Sequence, residues 1–446
     1  MAKRDHFASK IGFILAAAGS AIGLGAIWKF PYMAGTNGGS VFVLLFIIST
    51  LLIGLPILLA EFVIGRRGQA DPVTALKKLA PGKKWHFIGW SGFFFSFIIL
   101  SFYSVVGGWI LSYLGRALLF SFDNKGENYY GGLFDTIISN PVEVLIGQAV
   151  FMILTVMIVR GGIEAGIERA SRIMMPALLI FFIILVIRSL TLDGAMEGVK
   201  FMFVPDWSYF NAKTALLALG QAFFSLSVGV TGMMTYASYL PKDQKLGSSA
   251  VSVSMLNIGI SIMAGLVIFP AVFALGFSPN EGPGLAFIIL PAIFEQIPFG
   301  AIFMLIFFIL MLFATLTSSI AMLETIVSIG IKNAYDKRKR ASWIYGLIIF
   351  LVGIPSALSF GVFSDVKIFG KTFFDFADFL TSSIGLPLGA LLISIFAGYV
   401  LKKSATIEEL NISPTWFAVW HFLVRYLAPI AIIVIFINAI ISAFKG

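Results

Sequence analysis

The sequence predicts an all-α membrane protein that crosses the bilayer many times. Of its 446 residues, 59% are hydrophobic and 12% are charged, whereas soluble domains carry about 25% charged residues. Uncharged apolar runs of about 18 or more residues are typical of membrane-spanning helices, and runs such as 42–60 recur along the chain. This composition excludes a soluble enzyme and a nucleic-acid-binding protein.

The apolar segments predict eleven spans in a single transmembrane domain that covers residues 1–446. The first span is rich in glycine and continues into Trp28-Lys29-Phe30-Pro31, so we interpret it as a working span and not as a cleavable signal peptide. A shorter apolar segment at 280–298 predicts a re-entrant or lid-like hairpin. The spans are expected near 11–34, 40–64, 87–120, 142–159, 167–190, 213–238, 248–277, 299–334, 342–361, 374–400 and 416–444.

The positive charges follow the positive-inside rule of membrane proteins. With the N-terminus inside the cell, 21 Lys and Arg residues face the cytoplasm and 8 face the outside, while Lys29 and Arg425 fall within spans. We therefore expect a multi-pass protein of the cell (inner) membrane with a cytoplasmic N-terminus and an external C-terminus. The membrane orientation then accounts for the net charge of +9. We expect the lipid bilayer as a partner, and neither nucleic acid nor an obligate protein partner.

Two spans carry matched interruptions of the helical pattern. Span 1 is broken at Gly23-Leu24-Gly25, and span 6 is broken at Ser227-Val228-Gly229. Paired discontinuous helices in inverted repeats indicate a secondary transporter whose site lies at the breaks; glycines that only allow close helix packing are the alternative. The repeats are expected at about 10–190 and 213–400, with an extra helix at about 416–444.

The breaks also predict the chemistry of the site. An unwound turn exposes backbone groups, which are costly in lipid unless ions, substrate or neighbouring helices satisfy them. Half-helix N-termini present N–H groups suited to a carboxylate. The opposing C-terminal ends present carbonyl oxygens suited to an ammonium group or to Na⁺. A site with both ends favours a zwitterion, which indicates an amino acid as the substrate.

The residues around these breaks resemble the neurotransmitter:sodium symporter family, and its bacterial members most of all. Those members include transporters of leucine and an eleven-span transporter of many hydrophobic amino acids. The resemblance covers nearly the whole chain and implies a fold of 5+5 inverted repeats in which helices 1 and 6 are broken. Its motifs are GSAIGLGAIWKFP at 19–31 with Asn37-Gly38-Gly39, Glu61 with Gly65-Arg66, QAFFSLS at 221–227 with Thr235–Tyr239, and ATLTSS at 314–319.

The resemblance implies a substrate site at the two breaks. It places the substrate carboxylate at the N–H groups of Leu24 and Gly25 and at the hydroxyl of Tyr103. The substrate ammonium would meet the carbonyls of Ala21, Phe224, Ser225 and Ser227. The substrate side chain would lie among Ile99, Tyr103, Phe224, Val230, Ser318 and Met322.

Two departures from the family pattern predict a large substrate pocket. A leucine-transporting member has a bulky aromatic residue at the position of Val230 and an alanine at the position of Gly232. Both changes in this chain enlarge the pocket. We therefore expect it to accept Trp, Tyr and Phe along with Leu, Ile, Val and Met.

The resemblance also implies sodium sites made of neutral oxygen ligands. A first Na⁺, next to the substrate, would use Ala21, Ser225 and Asn257. A second would use the carbonyls of Gly19 and Ile22 together with Ala314, Thr317 and Ser318. Hydroxyls at 317–319 are also explained by bonds back to their own helix. Ala26 replaces the asparagine whose side chain usually binds the first ion, so either one or two Na⁺ are expected.

Chloride is a further candidate ion. Chloride-independent members carry a carboxylate in span 7, whereas the candidate positions here are the neutral Asn257 and Ser261. With Gln221 and Ser225, these residues resemble four parts of the chloride site of animal members. The fifth part, a tyrosine, is Phe46 in this chain.

Charged residues within or near the spans are candidates for gates. By resemblance, Lys29 and Asp378 would form an outer gate that closes over Phe224, with Asp375 as the fallback partner. A Lys29 that reaches the interface and a solvated Asp378 are the alternative. Glu61 is expected to bond the backbone groups that the breaks expose.

An inner gate is predicted at the N-terminus. By resemblance, Arg4 and Phe7 would form the latch. Its usual acidic partner is replaced by Lys332, which leaves Asp336, one turn further on, as a substitute. A solvated basic tail is the alternative.

We therefore expect sodium-coupled symport of hydrophobic L-amino acids, aliphatic and aromatic, into the cell by alternating access. An ion-independent facilitator or a channel-like permease on the same fold is the alternative, although the sequence lacks the filter loops or charged rings of a pore. An enzyme is not expected. The chain has no cysteine, its histidines (His6, His86 and His421) lie far apart, and no catalytic set is evident.

Overall fold

The computed structural model describes residues 5–119, 127–279, 282–332 and 334–445. In these ranges nine helices are long and apolar enough to cross a membrane, and they correspond to the predicted spans 2 to 5 and 7 to 11. Span 9 begins earlier than predicted, because the basic stretch at 337–340 is already helical. The nine helices are Ser40–Gly68, Lys84–Leu118, Pro141–Val159, Ile163–Leu190, Leu246–Ala274, Gly300–Ile331, Tyr335–Ala357, Phe373–Val400 and Pro414–Asn438.

Spans 1 and 6 are the two broken helices. Span 1 consists of Lys10–Ala21 and Gly25–Thr36, which are bent by 53° at the break. Span 6 consists of Ala212–Leu226 and Gly232–Ala237. Both breaks lie where the sequence predicts them, and with these two helices the described residues contain the eleven predicted spans.

Short helices cover the ends of the bundle at Pro72–Leu79, Glu127–Ser139, Ala195–Phe203, Ile289–Gln296 and Lys403–Leu410. The segment predicted as a hairpin forms a turn at Gly282–Leu285 and the buried helix Ile289–Gln296, while residues 280 and 281 lie outside the described ranges. Between the turn and the helix, the Phe287 ring centroid lies 5.8 Å from that of Trp28 and 5.3 Å from that of Phe134. The described residues of the segment thus form two short helices that pack on aromatic side chains.

The spans differ in how much of their surface is buried. The measure is the buried share of the most apolar 18-residue stretch of each span. It is 78% in span 3, 67% in span 7 and 61% in span 8, but 33% in spans 5 and 9 and 28% in span 11. Spans 3, 7 and 8 thus lie deepest in the bundle, while spans 5, 9 and 11 present most of their surface outward. Their exposed apolar side chains are the surface that the bilayer covers.

The break of span 1 is fixed by close packing. The helix starts at an N-cap, where Ser9 accepts the N–H of Gly12, and ends at Ile22, whose backbone is not helical (φ −90°, ψ 71°). A Cβ atom on Gly23 would lie 2.3 Å from the Ser318 hydroxyl oxygen and 2.6 Å from that of Tyr103. Only glycine therefore lets the unwound turn approach spans 3 and 8.

The break of span 6 is fixed by backbone conformation and by span 10. Ser227, Gly229 and Thr231 have positive φ angles of 53°, 98° and 58°, which no regular helix adopts. The carbonyl oxygen of Gly229 points at span 10, where a Cβ on Gly389 would lie 1.8 Å from it. Two glycines thus bring the backbones of spans 6 and 10 into direct contact.

Candidate functional site

A cavity of about 50 Å³ lies between the two breaks. Its walls come from spans 1, 3, 6, 8 and 10, so every wall belongs to a broken helix or to a helix packed against one. Ten of the eleven predicted substrate residues line it: Ala21, Leu24, Gly25, Ile99, Tyr103, Phe224, Ser227, Val230, Ser318 and Met322. The eleventh, Ser225, does not line the cavity and is buried behind its wall.

One end of the cavity presents N–H groups. The N–H of Leu24 donates to the hydroxyl of Tyr103 at 3.2 Å, so these two predicted carboxylate ligands lie side by side. The second half of span 1 begins at Gly25, where the helix N-terminus carries a partial positive charge. The side chain of Gln221 donates to the Gly25 carbonyl at 2.6 Å and holds this end of the helix against span 6.

Carbonyl oxygens lie at the other end, where the first halves of spans 1 and 6 finish. The Asn257 amide nitrogen in span 7 donates to the carbonyls of Ala21 (3.2 Å) and Ser225 (3.0 Å). The Ser225 hydroxyl donates to the Asn257 side-chain oxygen at 2.8 Å. The structure therefore gathers the three residues predicted for the first sodium site, and hard cations take such oxygen ligands. Ala26 is buried and contributes no side-chain oxygen.

The residues predicted for the second sodium site also converge, between spans 1 and 8. The Ser318 hydroxyl donates across to the carbonyls of Gly19 (3.3 Å) and Ser20 (3.0 Å). Thr317 instead donates back to Ala314 in its own helix at 2.9 Å. A Cβ on Gly19 would lie 2.9 Å from the Cβ of Thr317, so spans 1 and 8 are in close contact at these two residues. With the Ile22 carbonyl at the helix end, this donor set is made of neutral oxygens and fits Na⁺.

Glu61 holds the unwound part of span 6 from span 2. Its two carboxyl oxygens accept the N–H groups of Gly229 at 2.8 Å and Met234 at 3.0 Å. The side chain is fully buried, where an N–H group without an acceptor would be costly. This is the support role that the sequence predicts.

A second cavity, of about 270 Å³, adjoins the first on the side where Lys29 and Asp378 lie, and we call it the outer cavity after the predicted orientation. Both cavities are lined by Leu24, Tyr103 and Phe224, so these three residues form the partition between them. The outer cavity is also lined by Lys29, Asp375 and Asp378, together with aromatic side chains such as Trp28, Trp109 and Phe374.

The predicted outer gate is assembled but its ion pair is not formed. The Lys29 ammonium lies 4.2 Å from the centre of the Phe224 ring. Asp378 accepts the Ser382 hydroxyl at 2.7 Å, and Asp375 accepts that of Thr372 at 2.8 Å. No ion pair of 4 Å or less joins Lys29 to either carboxylate among the described residues, although all three side chains line the same cavity.

At the inner end, the segment before span 1 is fastened to its neighbours. Phe7 is buried, with its ring centroid 5.4 Å from Phe13 and 5.8 Å from Tyr236, and its N–H donates to the Tyr239 carbonyl at 3.2 Å. Asp5 accepts the N–H of Ile163 at 3.0 Å. Arg4, the other predicted latch residue, lies outside the described residues.

Further hydrogen bonds join the segment before span 1 to span 5. Glu168 accepts the N–H of Ala8 at 2.7 Å and the Ser9 hydroxyl at 3.1 Å. It also pairs with Arg172 at 2.6 Å. Spans 5 and 6 are thus both tied to the segment that precedes span 1.

A buried ion pair near this end was not predicted. Glu324 in span 8 is fully buried and pairs with Arg338 at 2.5 and 3.0 Å, and it accepts the Tyr239 hydroxyl at 2.6 Å. Among the described residues Asp336, the expected substitute, forms no ion pair. Lys332 stands where span 8 ends, with φ 51°. A lone acid in the apolar span 8, followed by the basic stretch 337–340, was the signal for this pair.

The four residues predicted for chloride are all buried, and two of them, Ser225 and Asn257, also belong to the predicted first sodium site. The hydroxyl of Ser261 and the side-chain oxygen of Gln221 have no hydrogen-bond partner in the part of the chain that the structure describes. Phe46, at the family's tyrosine position, packs on Phe30 with 4.8 Å between ring centroids.

Several cavity residues went unpredicted. Ser96 and Ala321 lie one turn from Ile99 and Ser318 on the same helix faces, so helical spacing would have found them. Leu386 comes from span 10, which carries no signal that places it near the breaks. Ser20, which also lines the cavity, accepts the hydroxyls of Ser227 and Ser318 through its carbonyl.

Fold and site together define a class of protein: an α-helical secondary transporter whose substrate site lies between two discontinuous helices. The model of the sodium:neurotransmitter symporter family matches residues 4–130 and 134–445. The chain belongs to this family and is therefore a sodium-dependent membrane transporter and not an enzyme.

Individual relatives agree with this assignment. The sodium-dependent transporter YhdH of Bacillus subtilis is 53% identical over 98% of both chains. A sodium-dependent transporter of Haemophilus influenzae is 38% identical, also over 98% of both. The crystal structure of MhsT in complex with L-phenylalanine superposes with a TM-score of 0.92 at 47% identity, over 98% of this chain and 100% of the other.

Proposed function

We propose that this transporter carries hydrophobic L-amino acids, aliphatic and aromatic, into the cell together with Na⁺ by alternating access. The observation that carries the proposal is the cavity at the breaks. Its N–H end at Leu24 and Gly25 suits a carboxylate, and its carbonyl end at Ala21 and Ser227 suits an ammonium group.

The apolar part of the cavity supports the hydrophobic class. Ile99, Val230, Ala321, Met322 and Leu386 line it, and among the cavity residues no acidic or basic side chain is found that would pair with a charged substrate. MhsT, to which the chain is similar over nearly its whole length, was crystallised with L-phenylalanine. Because Val230 and Gly232 are small, we extend the substrate range to Trp and Tyr.

The ions follow from the same geometry. Ser318 and the Gly19 carbonyl support one Na⁺ at the second site, and Asn257 supports another beside the substrate. Because Ala26 offers no side-chain oxygen, the first site would bind Na⁺ more weakly than the second. We therefore propose that one or two Na⁺ are carried with each substrate. The buried Ser261 hydroxyl supports chloride as a co-ion.

Alternating access would use the two ends already described. Outer closure would bring Lys29 and Asp378 together over Phe224. Inner opening would release Asp5 from span 5 and Phe7 from span 6, with Arg4 as the predicted second residue of the latch. The repeats at about 10–190 and 213–400 would supply the two moving units, with 416–444 outside them.

We also propose that the N-terminus is cytoplasmic, that the C-terminus is external, and that the protein resides in the inner membrane. The chain contains no cysteine, so single cysteines can test this. Ser364→Cys, exposed between spans 9 and 10, should react with an impermeant maleimide added outside cells. Ser404→Cys, exposed after span 10, should react only after lysis. The opposite pattern would reverse the orientation.

The transport proposal is tested by uptake of radiolabelled Trp and Leu into proteoliposomes, with Na⁺ and Cl⁻ replaced in turn. We expect uptake of both substrates to require Na⁺ and to fall when gluconate replaces Cl⁻. Equal uptake without Na⁺ would favour the ion-independent facilitator or channel-like permease. Equal uptake in gluconate and in Cl⁻ would exclude chloride as a co-ion and leave the rest of the proposal unchanged. No uptake of either amino acid, or uptake confined to Gly and Ala, would overturn the substrate class.

A further inference from the structure

An arginine lies inside span 11, away from the substrate cavity. Arg425 follows the helix start at Pro414 by three turns, or about 16 Å along the helix axis. A Cβ atom on Gly398, two residues before the end of span 10, would lie 3.0 Å from the Cα of Arg425, so Arg425 lies level with the end of span 10. In the described part of the chain, no acidic side chain forms an ion pair with Arg425.

The guanidinium of Arg425 lies against aromatic rings. Its central carbon is 4.5 Å from the ring centre of Tyr399, at the end of span 10, and 5.5 Å from that of Tyr426. The Tyr399 hydroxyl donates to the Arg425 carbonyl at 2.9 Å. The Arg425 Nε atom is buried and has no hydrogen-bond partner within the described ranges. The rings therefore position the charge but leave hydrogen-bond capacity unused.

Two more basic side chains continue this arrangement towards the end of the bundle. His421, one turn before Arg425, stacks on Phe417 with 5.6 Å between ring centroids. The ammonium of Lys403 lies 5.8 Å from the centre of the same Phe417 ring. Phe417, His421 and Arg425 are spaced four residues apart and so share one helix face. We call Tyr399, Lys403, Phe417, His421 and Arg425 the basic cleft.

The basic cleft opens towards the bilayer. Tyr399 is 52% exposed and Tyr426 is 46% exposed, on a face that also carries the exposed Phe422. The nearest acids along the chain, Glu408 and Glu409, are occupied by ion pairs with Arg66 and Arg67. The positive charge of the cleft is thus uncompensated by the described residues.

We propose that the basic cleft binds the phosphate group of an anionic phospholipid. Arginine presents paired N–H donors that match phosphate oxygens, and its long side chain reaches from a buried backbone towards the headgroup level. A lipid reaches this outward face directly and covers exposed apolar side chains such as Phe422 with its acyl chains. The cationic residues favour an anionic headgroup over a zwitterionic one. The occupant is therefore a lipid and not a soluble anion.

Native mass spectrometry of the full-length protein in detergent, with added phosphatidylglycerol or phosphatidylcholine, tests this inference. We expect wild type to retain phosphatidylglycerol in preference to phosphatidylcholine. Arg425→Gln should weaken phosphatidylglycerol binding about tenfold, as expected for loss of charge-assisted hydrogen bonds. The matched control is Arg188→Gln, since Arg188 also lies over an aromatic ring, Phe303 at 5.9 Å, and donates to Thr191. It should bind like wild type.

Three outcomes would overturn the inference: equal retention by wild type and Arg425→Gln, equal retention of the two lipids, or displacement of phosphatidylglycerol by inorganic phosphate. The last would assign the cleft to a soluble anion. If Arg425→Gln does not fold, Lys403→Gln decides, because Lys403 is exposed. It should weaken phosphatidylglycerol binding about twofold to fivefold, and unchanged binding would count against the proposal.

Discussion

The carboxyl group of Glu61 in span 2 accepts the backbone N–H of Gly229, 2.8 Å away, inside the break of span 6. Its second oxygen accepts the N–H of Met234, where the helix has resumed. One side chain therefore bridges both sides of the unwound turn. The transporter keeps this turn open by satisfying its backbone from a neighbouring span.

Replacing Glu61 should therefore affect both stability and transport. Glu61→Ala leaves two buried N–H groups without acceptors, each costing about 1–3 kcal/mol, so we expect a lower melting temperature in detergent and loss of uptake. Glu61→Gln keeps one acceptor oxygen and should be intermediate. Glu197→Ala, which removes an exposed acid paired with Lys200, serves as the control. Wild-type uptake by Glu61→Ala would contradict the bridging role.

The hydroxyl of Ser318 is predicted to set the sodium requirement. It donates across to Gly19 and Ser20, whereas the neighbouring Ser319 donates to Leu316 in its own helix and meets Thr155. Ser318→Ala should raise the Na⁺ concentration for half-maximal substrate binding about fivefold to tenfold, the value of one hydrogen-bonding group. Ser319→Ala should leave it unchanged. Equal effects of the two substitutions would remove Ser318 from the ion site.

Gly232 should limit the size of the substrate. A Cβ at this position would meet only the Thr325 hydroxyl at 3.8 Å, so Gly232→Ala adds one methyl group to the cavity wall without strain. We expect binding of Trp to weaken about tenfold relative to Leu, as measured by competition with a radiolabelled substrate. Gly259→Ala places a methyl group in open space in span 7 and should change the binding of neither Trp nor Leu. An equal loss of Trp and Leu would show that Gly232 does not select by size.

Lys29 and Asp378 should be coupled in transport although they are not paired in this structure. If they meet when the outer end closes, Lys29→Gln and Asp378→Asn should each slow uptake. The double variant should be little slower than either, with a coupling energy of about 1 kcal/mol. The control cycle pairs Lys29→Gln with Asp365→Asn, an exposed acid between spans 9 and 10, and should be additive. If the effects of Lys29→Gln and Asp378→Asn on uptake were additive, the predicted outer gate would be excluded.

The positions of the breaks could be predicted from sequence because each break needs glycine for a physical reason. Gly23 has no room for a side chain beside Ser318 and Tyr103, and Gly229 adopts a positive φ angle against span 10. Residues near such glycines, including Tyr103, Phe224 and Ser318, consequently lie at the cavity.

Other parts of the site depend on long-range packing or on conformation. Leu386 reaches the cavity only because Gly389 lets span 10 touch the break, and no local pattern reports this. The separation of Lys29 from Asp378 is a property of the conformation seen here, which no local sequence pattern reports. The family pattern points to the end of span 8 for the acidic residue, whereas Glu324 lies inside the span and its partner Arg338 approaches from the start of span 9.

The fastening of the N-terminal segment has a practical consequence for watching this transporter work. Asp5 and Phe7 hold spans 5 and 6 at once, so the inner end cannot open while both contacts persist. The neighbouring His6 is exposed and can carry a spin label without disturbing either contact. Paired with a label at the exposed Lys242 in this cysteine-free chain, it would report the opening rate of the inner end in real time.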